Sequence, residues 1–145
     1  MANDFKVLGI NHVGLAPKDP AKARSFLSDM LGLSFHGDEL VKDQKTLTAI
    51  FSSSSTIETG PRLEILIPNN GEGPIATFLE KKGSGIHHIA MMVDSVENAV
   101  ACLKKKGVRL IDETPRQGAH ETRIAFIHPE STGGLLVELV EEKKS

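Results

Sequence analysis

Apolar and polar positions alternate with a period of two over roughly 8–16, 34–41, 46–53 and 62–67, and again over 86–93, 109–112, 122–127 and 134–141, so each stretch is expected to be a β-strand. After the first strand of each set the period lengthens. Ala23, Phe26, Leu27, Met30 and Leu31 form one helical stripe and Val96, Ala99, Val100 and Leu103 another, predicting helices over 19–31 and 94–106. Asp19 is placed to cap the first helix, with Pro20 at its first turn and Gly32 at its end. Gly107 follows three lysines at the end of the second. Each half therefore reads β-α-β-β-β. Residues 68–74 form a turn-rich linker, and Ile75, Phe78 and Leu79 predict a short amphipathic helix before Gly83 and Gly85. Residues 52–60 are expected as a polar hairpin tip and 141–145 as a charged, frayed end.

The two halves match in more than element order. Ile10-Asn11-His12-Val13-Gly14 is answered by Ile86-His87-His88-Ile89-Ala90. The closing strands Leu63-Glu64-Ile65-Leu66 and Val137-Glu138-Leu139-Val140 each carry one glutamate, at nearly the same interval from their histidine. The expected fold class is α+β, one domain over 1–145 built from module 7–67, linker 68–85 and module 86–141. Strand alternation puts His12 on one face with Gly14 and Ala16, and Val13 and Leu15 on the other, where a helix covers them. The repeat selects His88, with Ala90, as the partner of His12, and leaves His87 to packing outside the site. A carboxylate within a buried strand costs several kcal/mol unless something pairs with it. A single histidine on an apolar strand is more often structural than a ligand, but four residues at repeat-related positions read together as one site. Two imidazoles and two carboxylates suit a divalent transition ion; cobalt, nickel, manganese, zinc and iron all match these ligand types.

Composition removes other classes. Lys+Arg total 17 against Asp+Glu 19, a formal charge of -2, so no basic surface is indicated, and without Trp or Tyr only six Phe are available for base stacking. That argues against nucleic acid as a partner. The apolar runs are too short to span a bilayer and no leader pattern opens the chain, so a soluble cytoplasmic protein is expected. One cysteine excludes an internal disulfide. Cys102, beside Val100 and Leu103, is expected as a small buried apolar residue.

The second half contains Gly85-Ile86-His87-His88-Ile89-Ala90, then Pro115-Arg116-Gln117-Gly118-Ala119, Phe126-Ile127-His128-Pro129, Ser131-Thr132-Gly133-Gly134 and Leu136-Val137-Glu138-Leu139. With Ile10-Asn11-His12-Val13-Gly14 and Leu63-Glu64-Ile65-Leu66, these stretches resemble the vicinal oxygen chelate superfamily, and more closely its methylmalonyl-CoA epimerase family, over about 7–141. The resemblance implies two paired βαβββ modules forming a cupped mixed sheet around a metal site. It implies one divalent ion (Co, Ni, Mn or Zn) on His12, Glu64, His88 and Glu138, an acyl-CoA substrate and a homodimer. The implied reaction interconverts the 2R and 2S forms of methylmalonyl-CoA by removing the proton α to the thioester, through a metal-stabilised enolate, with Glu138 as base on one face.

One stretch departs from the family. Relatives carry a Pro-Glu-x-Gly turn and some a glutamate in the strand after it that is proposed as a base. Here the region reads Lys42-Asp43-Gln44-Lys45-Thr46-Leu47-Thr48, with Thr48 near that glutamate's place. The acid or base for the second face is left to a water held by Thr48 or to a loop residue. Glyoxalase I uses the same four ligand types and the same enediolate logic; its relatives usually show an Asp-Pro-x-Gly turn where this chain has the turn around 131–134. An extradiol oxygenase would use two histidines and one carboxylate, which the fourth ligand disfavours. A non-catalytic small-molecule-binding module would have no reason to keep all four.

Overall fold

A computed structural model describes residues 5–56 and 60–143. They gather into two compact units, residues 12–87 and residues up to 11 together with those from 88 onward.

In the unit 12–87, β1 (Val7–Ala16) leads to α1 (Pro20–Ser25), then β2 (Ser34–Val41), β3 (Thr46–Ser52) and β4 (Arg62–Pro68). The Asp19 carboxylate accepts from the Lys22 amide at 3.1 Å, satisfying one open donor at the start of α1. The helix continues through a π-helical turn, Phe26–Met30, closed by the Leu31 amide on the Phe26 carbonyl at 3.0 Å. Gly32 ends it at φ 71, a left-handed conformation that costs glycine little. The strand order is β2-β3-β4-β1, with β4 parallel to β1 and antiparallel to β3. One face of this sheet is covered by the helix: Leu27, Ala49, Phe51 and Ile65 pack there with Leu15 and Ala23. Burying Phe51 and Ile65 contributes about 1.5–3 kcal/mol each. α2 (Pro74–Lys82) seats Ile75, Phe78 and Leu79 against Ala16 and Leu66, on the opposite face.

The second unit repeats this plan. β5 (Gly85–Val93) leads to α3 (Val96–Lys105), β6 (Arg116–Gln117), β7 (Arg123–Ile127) and β8 (Val137–Glu141). The order is β5-β8-β7-β6, with β8 parallel to β5 and antiparallel to β7. Val93, Val96, Ala99, Val100, Ala125, Ile127 and Leu139 form its helix-side core, and Cys102 is buried in α3 as expected. Ala90, Ile124, Phe126 and Val140 pack together on the other face. Residues 5–11 belong with this unit: Lys6 and Asp94 exchange two hydrogen bonds, and Phe5 packs on the core. The α+β class and both βαβββ patterns are borne out, with parallel and antiparallel pairing mixed in each unit. No helix among the described residues is long and apolar enough to cross a membrane.

Three details differ from the sequence reading. No strand forms over 109–112; Leu110 makes one bridge to Ile127, and the strand beside β7 is Arg116–Gln117. The cause is Asp112, whose carboxylate accepts from the Phe126 amide at 2.8 Å and pairs with Arg116 at 3.0 Å, so a side chain takes a place the ladder would have filled. The last strand starts at Val137 rather than 134, because Gly133 and Gly134 turn the chain at φ 80 and 100. Glu141, expected in the frayed end, closes β8 and accepts from the Val96 amide at 2.8 Å at the positive end of α3. The expected tip at 52–60 is described except for 57–59, and the tail to residue 143; the rest of both lies outside the described residues.

Candidate functional site

All four selected residues are buried in strands: His12 is 6% exposed, Glu64 6%, His88 6% and Glu138 5%. Within the first unit, His12 Nδ1 lies 3.3 Å from Glu64 Oε2. Within the second, His88 Nε2 lies 3.1 Å from Glu138 Oε1. The same register makes both contacts. Glu64 stands opposite Gly14, two residues beyond His12, and Glu138 stands opposite Ala90, two residues beyond His88. Each glutamate therefore reaches diagonally back to its histidine across a parallel strand pair. A glycine and an alanine in the opposing positions leave the room to do so.

These pairs answer the desolvation problem, since an imidazole beside each carboxylate offsets part of the cost of burying it. They also fit a metal. Imidazole nitrogen and carboxylate oxygen are the donors a borderline divalent ion takes, each pair offers one of each at close range, and burial shields them from competing water. His87 lies apart from its pair, half-buried, with its ring edge-on to Phe78 at 5.1 Å between centroids.

The two pairs stand on unlike faces. In the first unit the helix takes Ala49, Phe51 and Ile65, so by alternation Arg62, Glu64 and the even-numbered residues of β3 look the other way. That side carries buried Thr46, Thr48, Ser52 and Arg62 around Glu64. His36 Nε2 meets Ser52 Oγ at 2.6 Å. Glu39 stands in register with Thr48, half-buried, while its neighbour Asp38 turns to the helix side and pairs with Arg24 at 3.3 Å. In the second unit the corresponding side is apolar. Phe126 stands opposite Glu138 and meets the His88 ring edge-on at 5.5 Å, with Ile124 and Val140 beside it. The Arg116 guanidinium lies over the Phe126 ring at 5.8 Å.

The sequence reading singled out none of Arg62, Glu39, His36 or Arg116. Arg62 was within reach of it, being two residues before Glu64 on one strand and so on the same face. Glu39 and Arg116 required the register of an edge strand, which periodicity does not supply. The turn at 128–134 holds Arg109, whose amide donates to Ser131 Oγ at 2.8 Å and whose carbonyl accepts from the His128 amide at 3.0 Å.

Residues 11–126 match the model of the Glyoxalase/Bleomycin resistance protein/Dioxygenase superfamily. An uncharacterized protein of Bacillus subtilis, YqjC, is 42% identical over 134 residues, 92% of this chain and 92% of that one. The mitochondrial methylmalonyl-CoA epimerase of Bos taurus is 36% identical over 131 residues, 90% of this chain and 72% of the relative. Among solved structures, methylmalonyl-CoA epimerase from Mycobacterium tuberculosis superposes with a TM-score of 0.88 at 34% identity, covering 99% of this chain and 94% of the other.

Proposed function

Because the chain belongs to the Glyoxalase/Bleomycin resistance protein/Dioxygenase superfamily and, within it, to the methylmalonyl-CoA epimerase family, we propose that it interconverts the 2R and 2S forms of methylmalonyl-CoA. The observation that carries this reading is the pair of buried His–Glu contacts made by one register in both repeats, in a chain similar to named epimerases over nine-tenths of its length. Glyoxalase I has no comparable support.

His12, Glu64, His88 and Glu138 would hold one divalent ion, of which cobalt, nickel, manganese and zinc are the candidates. Such an ion supplies Lewis-acid stabilisation of the negative charge that develops on the thioester oxygen when the α-proton leaves. Glu138 takes that proton on one face of the substrate and returns it in the reverse direction. Phe126 and Ile124 pack beside this carboxylate and lower the polarity around it, which strengthens nearby electrostatic interactions.

The reading is tested with metal-loaded protein, methylmalonyl-CoA and deuterated solvent. The expected result is exchange at the α-carbon with interconversion of the two forms, abolished by a chelator. Isomerisation of the methylglyoxal–glutathione hemithioacetal, with no exchange into methylmalonyl-CoA, would move the assignment to glyoxalase I.

A homodimer and a cytoplasmic location complete the proposal. Phe26, Met30, Leu31 and Ile86 are large exposed apolar side chains of the first unit, and Phe26 and Ile86 line an apolar groove with Leu15, Pro17 and Ile65. A second copy of the chain is the occupant proposed for this surface. Sedimentation at micromolar concentration is expected to give twice the chain mass, and cell fractionation tests the compartment.

A further inference from the structure

Beside its His–Glu pair the first unit carries a charge at a position where the second has none. Arg62 lies two residues before Glu64 on β4 and is 5% exposed. Leu63 and Ile65 of the same strand pack on the helix side, so Arg62 goes to the opposite face with Glu64. Register sets it beside the histidine as well: Arg62 is the direct partner of His12 in the parallel β1–β4 pair, and Glu64 stands two positions further along. On the β3 side, one step past the Phe51–Leu63 pair, is buried Ser52, whose hydroxyl meets His36 Nε2 at 2.6 Å and the Ser54 carbonyl at 3.1 Å. A guanidinium stays charged at any pH a folded protein meets, and burial to this degree takes away most of its hydration.

The repeat shows that this cation is not needed to build the His–Glu contact. The equivalent position, two residues before Glu138 and one step before the Ile89–Val137 pair, is Leu136, which packs with Ala90, Ile124, Phe126 and Val140. His88 and Glu138 still meet at 3.1 Å, against 3.3 Å for His12 and Glu64. An apolar residue therefore supports such a pair as well as an arginine does. What Arg62 adds is a permanent positive charge with its donors in a planar fork. Methylmalonyl-CoA brings the complementary group, because its α-carbon bears a free carboxylate as well as the thioester. That carboxylate must leave water to approach a buried site, and its charge opposes the negative charge that develops when the α-proton is removed. We infer that Arg62 takes the free carboxylate of the substrate through paired N–H donors to its two oxygens, and so selects acyl-CoA thioesters with an acid group on the α-carbon. Bound this way, the carboxylate orients the α-carbon beside Glu64 and loses most of its repulsion of the forming enolate. Two other cations of the unit are directed elsewhere: Arg24 is on the helix side with Asp38, and Lys45 is in the β2–β3 turn with Glu72.

This inference rests on the epimerase reading, and its test uses two unreactive thioethers of coenzyme A so that binding is read apart from turnover. One carries a 2-carboxypropyl group and the other the neutral 2-methylpropyl group of the same shape; calorimetry on the metal-loaded protein gives the affinity for each. The unaltered protein is expected to bind the acid thioether about 10-fold or more tightly than the neutral one. Arg62→Met is expected to bind the two about equally, with metal content and affinity for the neutral thioether unchanged. Arg62→Lys keeps the charge but not the fork, and its preference is expected to fall between. A preference that survives in Arg62→Met overturns the inference, as does the lack of any preference in the unaltered protein. Equal losses of affinity for both thioethers also overturn it, since they would make Arg62 a support of the His12–Glu64 pair. If Arg62→Met does not fold, an undiminished preference in Arg62→Lys overturns the inference and a reduced one supports it. The epimerase reading fails separately: no exchange from deuterated solvent into methylmalonyl-CoA, with the preference for the acid thioether retained and lost in Arg62→Met, removes the reaction and keeps the carboxylate site.

Discussion

The two repeats build the same His–Glu contact and surround it with opposite environments. Glu64 and Glu138 occupy the same register position, but the residue across the antiparallel pair is Ile50 for one and Phe126 for the other. One step further along, Thr48 corresponds to Ile124, and beyond them on the edge strands Glu39 corresponds to Arg116. The diagonal contact depends on backbone register and on a small opposing residue, both of which the repeats share. The surroundings depend on side chains that have diverged: in the first unit Thr46, Thr48, Ser52 and Arg62 stand with Ile50 and Leu66, and in the second Phe126, Ile124 and Val140 stand with Arg116 over the Phe126 ring. Equivalent glutamates therefore stand in different surroundings.

The sharpest test of that difference substitutes the twin glutamates. Glu138→Gln is expected to lower kcat/KM by about 10²–10⁴-fold, the range for loss of a positioned acid or base. Glu64→Gln keeps an oxygen donor and removes no proposed base, so about 10-fold or less is expected. Steady-state kinetics with metal content measured on each variant decides. Equal losses would show that both carboxylates act only as ligands.

A second test concerns the walls. Phe126→Ala removes the ring that packs on His88 and is expected to cost about 3–5 kcal/mol of stability in denaturant unfolding. Ile124→Thr puts a hydroxyl into the apolar wall and is expected to cost about 1–3 kcal/mol. The mirror substitution, Thr48→Val, is expected to change stability by less than about 1 kcal/mol, because it removes a polar group from the polar side instead of adding one to the dry side. If Thr48→Val and Ile124→Thr had equal effects, the two walls would not differ in polarity.

The smallest expected effects compare the helix starts. Asp19 caps α1 and Ser95 caps α3, each through its side chain and the amide three residues on. Asp19→Ala and Ser95→Ala should each cost about 1 kcal/mol, measured by thermal unfolding, with the metal site unaffected. A larger loss at Ser95 would mark the start of α3, where Glu141 also docks, as the tighter of the two.

Much of this was legible in the chain. Among the described residues, period-two and helical stripes located seven of the eight strands and all three α-helices, and the caps at Asp19, Gly32 and Gly107 lie where local chemistry puts them. The repeat named His12, Glu64, His88 and Glu138 and chose His88 over His87, because burial on a strand alternates and the motif recurs with its parity intact. These properties are local or periodic, so the sequence alone determined them.

What only the tertiary structure decided depends on which residues meet across strands. Asp112 bonds to the Phe126 amide and replaces a predicted strand, a competition invisible along the chain. Glu39 meets Thr48 only because a hairpin with Lys45 in the left-handed region sets the β2–β3 register. The contrast between the two faces also belongs to this level: the ligand motifs are alike in sequence, but their neighbours come from strands tens of residues away, and pairing alone decides whether a glutamate faces a threonine-lined edge or a phenylalanine ring.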